Sequence, residues 1–221
     1  MLKIAITGTT GRMGKEVIVA INNNKKLVCV DYLPGTDVFD VLIDFTTPSA
    51  IHKHLEHCVK LSCPMVIGTT GLGEIEKKAL QAAVLHIPIV IAPNMSIGVN
   101  VCYNLLESCA KALGANWQVA ISEVHHKYKK DAPSGTALKM GEIIEKYSGI
   151  DQDSIQFNSI RAGDVVGEHT VSFIGDGERI EITHKASNRQ AFAQGAVLAA
   201  RWVVGKKPGL YSMQDVIQHN L

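Results

Sequence analysis

Nothing in this chain is built to cross a membrane, to form disulfides or to attract a polyanion. Its apolar runs all fall short of the ~18 residues that span a bilayer. Basic and acidic residues nearly balance, for a formal net charge of +1, which favours neither nucleic acid nor an anionic lipid surface as a partner. The first residues lack the pattern of a secretory leader, since 2–7 read as a strand that runs into glycines. The five cysteines (29, 58, 63, 102 and 109) contain no C-x-x-C pair and form an odd count. They are read as reduced structural thiols of a cytosolic protein, with no zinc site.

What is present is the composition of a globular chain, 46% apolar, long enough for one large domain or two small lobes. Short apolar strands are expected at 2–7, 27–31, 41–45, 65–68 and 87–92. Helical spacing occupies 15–22, 52–60 and 74–84. All-apolar strands alternating with helices indicate a Rossmann-type α/β lobe with a parallel sheet. From about residue 97 the texture changes. A long helix over 99–113 leads to a strand at 117–124, a helix at 137–147, and β-type alternation at 155–161, 167–174 and 179–185. "GDGE" at 175–178 makes a hairpin turn. A last helix over 190–204 is rich in small residues suited to close packing on a sheet. The expected division is a dinucleotide-binding lobe, 1–96 with 190–221, and a smaller α+β lobe, 97–189, for substrate binding and oligomerisation.

The first strand, turn and helix carry Gly8, Gly11 and Gly14 in "GTTGRMG". Glycines there let the backbone approach a pyrophosphate, and the amides opening the helix bind it. The spacing is one residue longer than G-x-G-x-x-G, and a tight turn without a nucleotide is the competing reading. Asp31 ends the second strand, where an acid meets the adenosine ribose hydroxyls and repels a 2′-phosphate. Tyr32, not an arginine, follows it. NADH is therefore expected over NADPH, with Arg12 as the residue that could turn toward a 2′-phosphate. Only residues 32–40 separate the second and third strands, too few for a crossover helix, so the adenine side should be shallow. "GTTG" at 68–71 and "APNMSIG" at 92–98 follow later strands and lie where ligands of open α/β sheets bind.

Residues 125–137, HHKYKKDAPSGTA, are the richest in chemistry. His125 and His126 are adjacent and point to opposite sides of an extended chain. Imidazole suits general acid work near neutrality. Lys129 can return beside His125, whereas Lys127 and Lys130 look solvated. Ser134 or Thr136 can cap the helix that follows, and Gly135 bares backbone N–H groups. Taken alone, the stretch also fits an ordinary capped helix beside a lysine-bearing surface loop.

"GTTGRMG", "VLIDFTTP", "VIGTTG", "APNMSIGVN", "EVHHKYKKDAPSGTA", "RAGDVVGEHTV" and "ITHKASNR", in this order and along essentially the whole chain, resemble dihydrodipicolinate reductase. The resemblance implies reduction of a cyclic imine dicarboxylate by NADH or NADPH on the way to diaminopimelate and lysine. It implies His125 as catalytic acid/base and Lys129 as proton donor, with His126, Gly135 and Thr136 on the substrate. It places Gly8, Thr9, Thr10, Gly11, Arg12, Met13, Gly68, Thr69, Thr70, Ala92, Pro93, Asn94 and Met95 along the cofactor, and implies a homotetramer. Two features depart from the family: the short segment after Asp31, and Pro93, which removes one N–H from its loop. The roles of Arg161 and Arg189 stay open. The other readings are a different two-lobed NAD(P)-dependent amino or keto acid dehydrogenase, and a regulator that senses the nucleotide without turnover.

Overall fold

The structure is a computed structural model that describes residues 1–33, 35 and 37–218. Residues 219–221, assigned above to the first lobe, lie outside the described residues. Two compact units form: Met1–Ile97 together with the chain from Gln190 onward, and Gly98–Arg189.

In the first unit the order is β1 (Leu2–Thr7), α1 (Arg12–Asn22), β2 (Leu27–Asp31), β3 (Val41–Asp44), α2 (Pro48–Lys60), β4 (Met65–Ile67), α3 (Glu74–Ala83) and β5 (Pro88–Ile91). α4 (Ile97–Leu113) leads into the second unit, which holds β6 (Gln118–His125), α5 (Gly135–Ser148), β7 (Gln156–Arg161), β8 (Gly167–Gly175) and β9 (Glu178–Ala186). α6 (Gln190–Val203), β10 (Gly209–Tyr211) and α7 (Met213–Gln218) complete the first.

The first unit's sheet is parallel, in the order β10-β5-β4-β3-β1-β2. Its strands bury both faces, which explains their near-continuous apolar runs. Ile4, Ile6, Val41, Ile43, Val66 and Val90 pack with α1, α6 and α7. Their neighbours Ala5, Leu42, Met65, Ile67 and Ile89 pack with α2 and α3 on the other side. β2 is an edge strand, and among the described residues none after Asp31 pairs beyond it. The small residues of α6 serve close packing: a Cβ on Gly195 would sit 1.8 Å from the Met95 carbonyl oxygen.

The second unit's sheet runs β7-β6-β8-β9. β6 and β7 are parallel and joined through α5, while β8 and β9 form a hairpin about Asp176 and Gly177. Val119, Ile121, Val171 and Phe173 face α4 and α5. The alternate residues Ser122, Thr170, Ser172 and Thr183 line the other face.

Several boundaries differ from the periodicity. α1, α2 and α5 begin at Arg12, Pro48 and Gly135, earlier than the apolar pattern indicates, because their first turns are partly in solvent and carry no apolar stripe. His125 belongs to β6 rather than to the loop after it. β10 and α7 are too short for periodicity to reveal.

Candidate active site

In the first unit the turn after β1 is shaped by glycine. Gly8 has φ of 71°, and a Cβ on Gly14 would lie 2.2 Å from the Gly8 carbonyl oxygen, so α1 starts directly against the turn. Gly11 is the N-cap, with no side-chain cap and no acid in the first turn. A helix start of this kind suits a pyrophosphate. Gly8 and Thr9 are half-buried, Thr10, Gly11 and Arg12 are exposed, and Met13 packs partly on the core.

Asp44 ends β3 fully buried and organises the neighbouring loops. Its carboxylate accepts from Thr69 Oγ1 at 2.7 Å, Thr46 Oγ1 at 2.8 Å and Thr46 N at 3.0 Å, and meets His54 Nδ1 at 2.5 Å. Burial alone would raise its pKa, but these bonds outweigh burial and hold it below the usual range. Thr69 Oγ1 also accepts from Thr46 N, so this side chain braces the loop, while Thr70 is exposed. Gly68 lies against the Phe45 ring, with no room for a Cβ.

In the third loop, Asn94 Oδ1 accepts from Ser96 N at 2.9 Å. Met95 buries its side chain in the core, Ala92 is buried and Pro93 is exposed. Asp31 is exposed at the end of edge strand β2. Tyr32 donates to His57 Nδ1 at 2.5 Å, and His57 Nε2 faces Asp37 at 3.0 Å. This tethers the short connection to α2. Burial, with the nearby acids, pushes the Tyr32 hydroxyl up to about 12, so it stays a donor.

The second unit gathers the polar residues around the end of β6. His125 is 8% exposed and Glu123, two residues earlier on the same face, is 1% exposed. The His125 Nδ1 lies 2.5 Å from Glu123 Oε2. Burial lowers the His125 pKa; Glu123 partly offsets this, and the charges of Lys129 and Arg161 lower it further. Lys129 is thus within electrostatic reach of the ring, with its Nζ 2.8 Å from the Asp131 carboxylate. His126 is half-buried, and its Nδ1 has no hydrogen-bond partner among the described residues.

Ser134 is the cap of α5: its Oγ accepts from Ala137 N at 3.2 Å. Gly135 is exposed and Thr136 half-buried at the helix start. The Ser134 hydroxyl also lies 3.0 Å from His169 Nε2. Which of the two donates depends on the His169 tautomer, because a hydroxyl that accepts from an amide can still either donate or accept once more. Burial, with the His125 charge nearby, depresses His169 to about 3 and keeps it neutral. Arg161 is held against Glu123, and its Nη2 also donates to the Asp131 carbonyl. Sequence reasoning missed Glu123, Asp44 and His169. The available signal was a lone polar residue on the buried face of an otherwise apolar strand.

Residues 98–217 match the family described as dihydrodipicolinate reductase, C-terminus, and residues 2–35 and 31–95 match dihydrodipicolinate reductase, N-terminus. The 4-hydroxy-tetrahydrodipicolinate reductase of Hahella chejuensis is 44% identical over 264 aligned positions, covering 98% of this chain and 99% of the relative. That of Geotalea daltonii is 42% identical with the same coverage. The aligned length exceeds the chain, and the N-terminal match breaks at 31–35, where β2 meets its short connection. Among solved structures, dipicolinate-bound dihydrodipicolinate reductase from Paenisporosarcina sp. TG-14 shares the fold with a TM-score of 0.82 at 24% identity, covering 97% of this chain and 99% of that one.

Proposed function

The chain belongs to the dihydrodipicolinate reductase family, and from that premise we propose how its residues carry the reaction. The reaction is the NAD(P)H-dependent reduction of 4-hydroxy-tetrahydrodipicolinate to tetrahydrodipicolinate in lysine and diaminopimelate biosynthesis: the 4-hydroxyl leaves as water, and a hydride and a proton add to the unsaturated ring. The first unit holds the cofactor and the second holds the substrate and the oligomer interface. The bound nicotinamide supplies a hydride.

His125 is the general acid, giving a proton from Nε2 to the electron-rich product of hydride addition. Lys129 neutralises a substrate carboxylate and assists protonation. Gly135 and Thr136, at the start of α5, offer N–H groups to an anion, and charge-assisted bonds of this kind are the strong ones. His126 orients the substrate. The observation that carries this reading is the buried His125 beside an ammonium and a capped helix start on one short segment. The α1 turn, with Gly8–Met13, holds the pyrophosphate, and the loops at 68–70 and 92–95 flank the nicotinamide half. Thr69 and Met95 act there through backbone, because their side chains are engaged.

NADH is the preferred cofactor, since a carboxylate at the end of β2 accepts ribose hydroxyls and repels a 2′-phosphate. The protein is a cytosolic homotetramer, assembled through the β6–β9 face that carries Ser122, Thr170, Ser172 and Thr183. The test is loss of nicotinamide absorbance when purified protein meets freshly generated substrate. Oxidation of NADH is expected, and no oxidation of either cofactor would refute the assignment. Asp31→Ala should narrow the kcat/KM gap between NADH and NADPH. A wild-type enzyme that already favours NADPH would overturn the role given to Asp31.

A further inference from the structure

Glu123 has no part in the reaction just described, yet its carboxylate is engaged by His125, Ser134 and Arg161. Its carboxylate is buried on the apolar face of β6, where an unpaired charge is costly. Oε2 faces His125 Nδ1 and accepts from Arg161 Nη1 at 2.7 Å. Oε1 accepts from Arg161 Nη2 at 2.6 Å and from Ser134 N at 3.2 Å. Arg161 reaches it because β7 runs parallel to β6 with Arg161 in register with His125.

Each contact has a consequence. A carboxylate can only accept, so neutral His125 keeps its proton on Nδ1. That leaves Nε2 to exchange protons. Gly167 lies beside this nitrogen, and a Cβ there would come within 3.0 Å of it. Burial would push Glu123 toward protonation, but the bonds from Arg161 and His125 prevail and hold it at about 2. It therefore stays a carboxylate and does not serve as the acid. Through the Ser134 amide, the same group also holds the residue that caps α5.

We infer that Glu123, with Arg161 as its counter-charge, is the positioning residue of the site: it fixes the tautomer and tilt of His125 and ties that ring to the start of α5. The inference rests on the reading of His125 as general acid. An ion pair needed only for stability would lower the melting temperature when neutralised but leave kcat and the kcat–pH profile of the folded enzyme unchanged.

The test compares Glu123→Gln, Glu123→Asp and His125→Ala in the full-length enzyme. Glu123→Gln should lower kcat by roughly 10- to 1,000-fold, less than losing the acid outright, while NADH affinity stays at the wild-type value. The alkaline limb of its kcat–pH profile should move to lower pH, because the carboxylate that favours the imidazolium is gone. Glu123→Asp should recover part of both. In the wild-type protein, ¹⁵N NMR should find neutral His125 as the Nδ1–H tautomer, a readout that does not depend on any variant folding. The inference is overturned if neutral His125 carries its proton on Nε2, or if Glu123→Gln keeps wild-type kcat and pH profile while His125→Ala is inactive. A fully active His125→Ala would instead remove the general-acid reading, and this inference with it.

Discussion

Lys129 already has a partner: its ammonium lies 2.8 Å from the Asp131 carboxylate, which is itself exposed. A dicarboxylate substrate must compete with that carboxylate for the same cation. Asp131→Asn should therefore lower the substrate KM by roughly two- to fivefold, the scale of a weak solvent-facing pair. The backbone carbonyl that accepts from Arg161 is untouched by the change. A KM that rises would show that Asp131 instead aims Lys129 at the substrate. At this scale the histidine pair, the lysine and the Ser-Gly-Thr run were legible in the sequence. Their supports were not. Glu123 stands two residues before His125, and that spacing puts both on one face of a strand. Arg161 reaches Glu123 only through the pairing of β6 with β7, which strand periodicity does not specify.

The β1–α1 turn is the element whose geometry is most demanding. A methyl on Gly14 would collide with backbone at Gly8, not with a side chain that could swing away. Gly14→Ala should cost about 1–3 kcal/mol of stability, as overpacking does, and should weaken NADH binding by at least about tenfold as the turn opens. Thermal unfolding and NADH fluorescence titration check the two effects. Wild-type NADH affinity would contradict the role given to this turn. The apolar strands and amphipathic helices were readable because burial on one or both faces leaves a period in the sequence. Helix starts were less readable. α1 and α5 open with turns in solvent, capped by Gly11 and Ser134, and such turns hold no apolar stripe. β10 has three residues, and its place beside β5 follows from the path of the chain rather than from any local pattern.

At the scale of the whole molecule, acid should act first on the second unit. His169 is 3% exposed and stays neutral down to about 3, whereas an unfolded chain protonates histidine near 6.5. The unfolded state therefore binds the extra proton, and stability falls as pH drops from 6.5 toward 3. Glu123 adds to this from 4.5 down to about 2, where its bonds to Arg161 and His125 are lost. The melting temperature should thus fall on mild acidification. His169→Gln, which keeps a hydrogen-bonding partner for the Ser134 hydroxyl, should flatten that dependence above pH 4.5. An equally steep decline in the variant would show that His169 is not its source. The α/β class was legible because all-apolar strands alternate with helices along the chain. The central claim, that His125 donates the proton, is tested most directly by the steady-state rate of NADH oxidation with 4-hydroxy-tetrahydrodipicolinate for wild type and His125→Ala. The account predicts a kcat lower by roughly 10²- to 10⁴-fold in the variant, with NADH binding intact. An unchanged kcat would contradict it.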